Sequence, residues 1–207
     1  MSAFEFFFSF YGLLLGLSVA ELVGGFSRVL HERQRVRFGW RTPLLALFVA
    51  MDVATFWSQA WTIFRGAPFN LALLFIGLVV AATFYVAASV TFPRVTAEGV
   101  DERIDLNDHF WAHRRLIFSC ILAANVIIGV IFVALMSVDA GFASLSSARL
   151  WIGFAVFGLG SAAAAFAPRG IAGCALIALV LYSLFNVVRS ALVLIEAGGW
   201  SLPPMGS

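Results

Sequence analysis

The chain has 207 residues, of which 62% are hydrophobic and only 12% are charged. A soluble domain of that composition would precipitate, and the net charge of +2 is too small to indicate a nucleic-acid partner. The composition therefore predicts an all-α, polytopic integral membrane protein whose helical spans of about 20 residues are joined by short connections.

Six apolar segments are long enough to cross about 30 Å of hydrocarbon at about 1.5 Å per residue. They comprise residues 4–27, 43–64, 69–91, 116–136, 149–167 and 171–196. Proline supports these limits, since Pro43 stands where the second span begins and Pro93 follows the third. The sequence predicts one six-helix transmembrane domain over residues 1–207.

Arginine placement predicts the orientation of the spans. Most arginines fall in two connections, 28–42 and 92–115, and basic residues resist translocation, so both connections are predicted to be cytoplasmic. The N-terminus and the C-terminus then lie outside. The apolar N-terminal run carries Glu5 instead of a basic region, which indicates a first span and not a signal peptide. We expect a multi-pass protein of a bacterial inner membrane.

The first span has two faces. Small residues line one of them at four-residue spacing, a pattern that favours close helix packing and could support a homo-oligomer: Gly12, Gly16, Ala20 and Gly24. Glu21 lies on the other face, near the inner end of the span, and this position has two interpretations. It could form an ion pair with Arg28, or it could join a polar pathway with Asp52.

The second span contains "LLALFVAMDVATFWSQAW", an apolar run with Asp52 near its middle. Spacings of three and four place Thr55, Gln59 and Thr62 on the same helical face as Asp52. An ionised carboxylate near the bilayer midplane costs about 3 kcal/mol or more unless it is protonated, paired or hydrated. This face is therefore predicted to meet protein or water and not lipid.

Two interpretations of Asp52 follow. In the first, the carboxylate lies in a water-accessible cavity, binds a proton or cation, and changes protonation during transport. In the second, Asp52 is hydrogen-bonded and joins span 2 to a neighbour such as Asn125, which lies at a similar depth on span 4.

The sixth span carries an arginine in its outer half. Asn186 and Arg189 share a stripe with Tyr182, and the arginine side chain cannot give up its charge. The sequence predicts an ion pair between Arg189 and Glu5 or Glu196. The alternative is an anion-attracting or gating charge at the outer mouth.

The connection before span 4 offers one pattern typical of metal ligands. Asp105, His109 and His113 recur at four-residue intervals, which would align them on one helix face, but a fourth ligand is missing. Asp105 also fits a helix N-cap, with Asp108 in the first turn. We predict neither a metal nor a cofactor.

Motifs of enzymes are missing from the sequence. It has no glycine-rich phosphate loop with lysine, no HExxH and no GxSxG, which favours a non-enzymatic protein. The first functional hypothesis is a small transporter or channel for a proton, cation or small solute, with a polar route formed by Asp52, Gln59, Asn125 and Glu21. The alternative is a structural or accessory membrane subunit whose intramembrane polar residues hold the helices together.

Overall fold

A computed structural model of the chain describes residues 3–64, 70–94, 103–144 and 146–196. Within these residues the chain forms seven helices and two short strands. In chain order they are α1 (Ala3–His31), β1 (Val36–Arg37), α2 (Arg41–Phe64), α3 (Leu71–Thr91), β2 (Ile104–Asp105), α4 (Leu106–Val138), α5 (Ala140–Ser144), α6 (Ala148–Phe166) and α7 (Arg169–Glu196).

Six of these helices, all except α5, are long and apolar enough to cross a membrane. They correspond to the six predicted spans, so the all-α, multi-pass fold is confirmed. Both terminal segments, 1–2 and 197–207, lie outside the described residues. The side of the membrane that each terminus faces stays a prediction.

The helix α4 differs most from its predicted span. Its 33 residues make it about 50 Å long, well beyond the hydrocarbon thickness. It begins at Leu106, ten residues before the predicted start, because Asp105 caps it by accepting a hydrogen bond of 2.7 Å from the backbone N–H of Asn107. The predicted loop 92–115 is therefore helical in its last part, while residues 95–102 lie outside the described ones.

The long helices are arranged as a ring. In order around it, α1 packs on α3, α3 on α4, α4 on α6, α6 on α7, α7 on α2, and α2 on α1. The helix α2 also contacts α3 and α4, so it leans toward the centre of the ring. Its buried residues Leu45, Phe48, Val49 and Val53 lie in the main hydrophobic core. This central position brings the face of Asp52 against other helices.

The two strands form a parallel ladder at one end of the ring, with Val36 paired to Ile104. Beside it, the Thr42 hydroxyl donates a hydrogen bond of 2.6 Å to the Leu106 carbonyl. A small apolar cluster covers the ladder: Val29, Val36, Phe92 and Leu106. We call this side of the protein the ladder end and the opposite side, where α5 lies, the α5 end.

Glycine allows close packing on α1 at a different position from the predicted ridge. A Cβ added at Gly25 would lie 2.8 Å from the Phe92 ring at the end of α3. Of the predicted ridge, Gly12 faces Trp57 at 3.2 Å, whereas Gly16 has no described atom within 4 Å. The tightest approach on α1 therefore involves Gly25.

We expect Gly25→Ala to lower the free energy of unfolding by about 1–3 kcal/mol, because the added methyl group overpacks the contact with Phe92. Gly158→Ala, in the middle of α6, is the matched control. It adds the same group in open space, where alanine favours the helix by up to about 1 kcal/mol. Unfolding of the purified protein in mixed micelles measures both. Equal stability of the two variants would contradict this packing.

Candidate functional site

A polar cavity of about 340 Å³ lies between α2, α4, α6 and α7. Because a water molecule occupies about 30 Å³ of liquid, the cavity could hold about ten. Its polar lining consists of Asp52, Thr55, Gln59, Asn125, Ser147, Arg149, Tyr182, Ser183 and Asn186. Such a lining brings nine polar side chains to a region that hydrophobic helices otherwise surround.

Asp52 is the acidic residue in this lining. It lies about 17 Å from the start of α2, near the middle of that helix. The residue is 1% exposed, and its Oδ2 atom has no hydrogen-bond partner among the described residues. The buried Tyr11 side chain on α1 is close enough to interact electrostatically with it. The carboxylate is thus desolvated by protein on most sides, and Asp52 is one of the residues that line the cavity.

The exposure of the lining residues shows where the cavity opens. Asp52, Asn125 and Ser183 are buried, whereas Gln59 and Arg149 are exposed. Arg149 belongs to the first turn of α6, at the α5 end. The cavity therefore opens at the α5 end and has Asp52 in its buried part.

Aromatic rings pack on the ladder side of Asp52. The ring of Phe48, one helical turn before Asp52, lies 5.9 Å from that of Phe118 and 5.7 Å from that of Phe157, measured between centroids. Phe48 and Phe118 are fully buried, and Phe157 lines the cavity. These three residues, which we call the aromatic floor, come from α2, α4 and α6.

Other polar side chains in the cavity wall are hydrogen-bonded within their own helices. The Asn125 amide donates to the Ile121 carbonyl at 3.3 Å, and the Asn186 amide donates to the Tyr182 carbonyl at 2.9 Å. The structure brings Asn125 to the same cavity as Asp52, but no hydrogen bond joins the two among the described side chains. Gln59 also lines the cavity, while the side chain of Thr62 lies outside the described ones.

Glu21 is not part of the cavity. Its carboxylate forms an ion pair with Arg28 at 3.6 Å on the surface of α1, which is the first of the two interpretations drawn from the sequence. Glu21 is absent from the residues that line the cavity, so the predicted polar pathway from Glu21 to Asp52 stays a prediction.

Arg189 also lies away from the cavity. Its side chain is exposed on α7, and no ion pair with Glu5 or Glu196 occurs among the described residues. Arg189 comes one turn after Asn186, but only Asn186 lines the cavity. The predicted ion pair is therefore not found among the described residues.

The three residues with metal-ligand spacing make other contacts. Asp105 caps α4 and forms an ion pair with Arg37 at 3.6 Å. The Nε2 atom of His109 is hydrogen-bonded to the Val90 carbonyl at 3.0 Å, and the His113 ring stacks on it at 4.2 Å. In the described part of the chain, no group of three such side chains is arranged to hold a metal ion.

Sequence reasoning missed three polar residues of the cavity: Arg149, Ser183 and Ser147. Ser183 lies next to Tyr182, so the stripe drawn through Tyr182 and Asn186 could have included it. No pattern in the sequence links Arg149 and Ser147 to Asp52. The start of α6 comes near Asp52 only through the packing of α6 on α7 and α4.

No family model, curated protein or solved structure matches the chain.

We expect Asn186→Cys, in a background in which Ser replaces both native cysteines, Cys120 and Cys174, to react with a charged methanethiosulfonate reagent. The matched control is Ser161→Cys, which is equally part of the helix bundle but fully buried and outside the cavity lining. The cavity cysteine should react at least about tenfold faster, because only a hydrated thiol ionises readily. Equally slow labelling at both positions would mean that the cavity is dry.

Proposed function

We propose that this chain is a small transporter or channel of a bacterial inner membrane, with a polar route for a proton, a cation or a small solute around Asp52. One observation carries the proposal. A carboxylate with an unpartnered oxygen lies in the buried part of a polar cavity that opens at one end of the helix ring.

The energetics of the carboxylate favour a role in binding. An ionised acid at this depth costs about 3 kcal/mol or more unless something neutralises or hydrates it, and the described protein atoms leave Oδ2 without a partner. A proton, a cation or water from the cavity would supply what the protein does not. An acid that exchanges these partners is suited to carry charge across a membrane.

Arg149 lies at the mouth of the cavity, in the first turn of α6, and its side chain is exposed. Asp52 is the acidic residue of the lining and lies in its buried part. The arginine therefore affects entry at the mouth, whereas the buried part of the cavity has an acidic character. The volume of about 340 Å³ limits the cargo to ions and small molecules.

Access from one side fits an alternating mechanism. The cavity leads from the α5 end to Asp52, and the aromatic floor separates Asp52 from the ladder end. We infer that transport requires the floor to part while the mouth closes. The exposed arginines of the first connection, including Arg33 and Arg37, support a cytoplasmic ladder end and an external mouth.

The accessory-subunit alternative has less support at the cavity, because the hydrogen bonds of its polar side chains do not join helices. Thr55, Asn125 and Asn186 donate to carbonyls one turn earlier in their own helices. We also propose that the protein forms a homo-oligomer through α1, where Gly16 and the exposed Ala20 leave room for a second copy.

We expect Asp52→Asn to reduce ion flux at least about tenfold in proteoliposomes, because the amide cannot bind a proton or neutralise a cation at pH 7. A panel of vesicles loaded with pH-, sodium- or potassium-sensitive dyes measures the flux. The matched control is Asp108→Asn, which removes an exposed acid from the first turn of α4 and should leave flux unchanged.

Unfolding in mixed micelles separates loss of function from loss of fold. A folded Asp52→Asn variant with wild-type flux would refute the role of Asp52. The absence of flux for every ion tested with the wild-type protein would favour the accessory subunit.

We expect Phe157→Leu to increase the passive leak of protons several-fold, because it removes one ring of the aromatic floor while keeping an apolar side chain. Phe166→Leu is the control, since Phe166 is an exposed ring of the same helix. A pH-sensitive dye inside the vesicles reports the leak under an imposed pH gradient. Equal leaks through both variants would mean that the floor does not close the route.

A further inference from the structure

Three arginines surround one tryptophan at the ladder end. The guanidinium carbons of Arg114, Arg41 and Arg169 lie 4.9, 5.2 and 5.5 Å from the centroid of the Trp111 ring. We call these four residues the arginine cluster. Cations over an aromatic face are attracted to it, so Trp111 holds together three charges that otherwise repel one another.

Each arginine comes from a different helix. Arg41 and Arg169 are the first residues of α2 and α7, and Arg114 lies on α4. Neither α2 nor α7 has an acidic residue in its first turn. The N-terminus of a helix carries about half a positive charge, so the dipoles of α2 and α7 add to the positive potential of the side chains, while the C-terminus of α6 beside Arg114 offsets part of it.

No carboxylate neutralises the arginine cluster among the described residues. Three acids at this end form ion pairs with arginines outside the cluster. The pairs are Glu21 with Arg28, Glu32 with Arg35, and Asp105 with Arg37. Asp108 is exposed and forms no ion pair with a described residue. Both Arg115 and Arg169 lie close enough to repel the charge of Arg114.

Hydrogen bonds hold the arginine cluster in place, and one of its N–H donors has no partner in the described structure. Arg114 is 8% exposed and donates to the carbonyls of Ala164 and Ala167 at 3.2 and 2.9 Å, at the end of α6. Arg41 donates from Nη1 to the Asn107 side chain at 3.2 Å, whereas its buried Nε has no hydrogen-bond partner in the described structure. Arg169 is exposed and accessible.

We propose that the arginine cluster binds the phosphate group of an anionic molecule. Planar guanidinium groups match the oxygens of a phosphate, and a doubly or singly charged phosphate would relieve the repulsion between the three arginines. The cluster lies beside Trp40, which is 50% exposed and whose ring contacts Arg41 at 4.8 Å. A tryptophan so placed is typical of the membrane boundary, where the headgroups of acidic phospholipids supply phosphate.

The test uses Arg169→Gln in the full-length protein, because this arginine is exposed and makes no hydrogen bond that the fold requires. Arg33→Gln is the control, since it removes an equally exposed charge from the same end. Thermal stabilisation of the purified protein in detergent is titrated with short-chain phosphatidylglycerol, with phosphatidylcholine and with inorganic phosphate. We expect Arg169→Gln to weaken phosphatidylglycerol binding about fivefold and Arg33→Gln to leave it unchanged.

Selective stabilisation by phosphatidylglycerol that only Arg169→Gln weakens would support a lipid headgroup as the source of the phosphate. Stabilisation by inorganic phosphate with the same dependence on Arg169 would support a free phosphate. If both substitutions weakened phosphatidylglycerol binding equally, the binding would depend on the general positive potential of the surface, and the proposed site would be overturned. No difference between phosphatidylglycerol, phosphatidylcholine and phosphate would overturn it as well.

Discussion

The interior of a bilayer supplies no hydrogen bonds, so each polar side chain there depends on its own helix, on a neighbour or on trapped water. Hydroxyl and amide groups can use their own helix, as Ser18, Thr55 and Asn125 do when they donate to a carbonyl four residues earlier. An ionised carboxylate cannot do so, because it only accepts hydrogen bonds and the N–H groups in the middle of a helix are already paired. Asp52 therefore depends on a proton, a partner or water from outside its own helix.

The two ends of the helix ring are held together differently. At the ladder end, side chains join separate elements: Thr42 bonds to the start of α4, His109 to the end of α3, and Arg114 to the end of α6. At the α5 end, residues of α2, α4, α6 and α7 line the cavity instead, and their polar side chains make no hydrogen bonds between helices in the described part of the chain. The helices are therefore joined by fewer polar contacts around the cavity than at the ladder end.

Hydrophobic length predicts the six spans, since it depends only on local composition, and spacing of three and four predicts the polar face of α2. Asn125 could be matched to Asp52 by depth alone, and both line the cavity. The outward direction of Arg189 and the contribution of Arg149 depend on how α6 and α7 rotate against α2, which no local pattern encodes. Likewise, the ladder and the arginine cluster join residues that are distant in sequence, so neither could be predicted.

The parallel ladder has a consequence for biosynthesis. Ile104 is made 68 residues after its partner Val36, and the second and third spans lie between them. At a synthesis rate of about 5–20 residues per second, about 3–14 s pass between the synthesis of β1 and that of β2. During that interval the first connection has an unpaired strand, and the apolar cluster around Val36 still lacks Leu106, while two helices enter the membrane. The first three helices are thus inserted before the contact that joins them to α4 can form, and chain elongation sets the earliest moment at which the ring can begin to close.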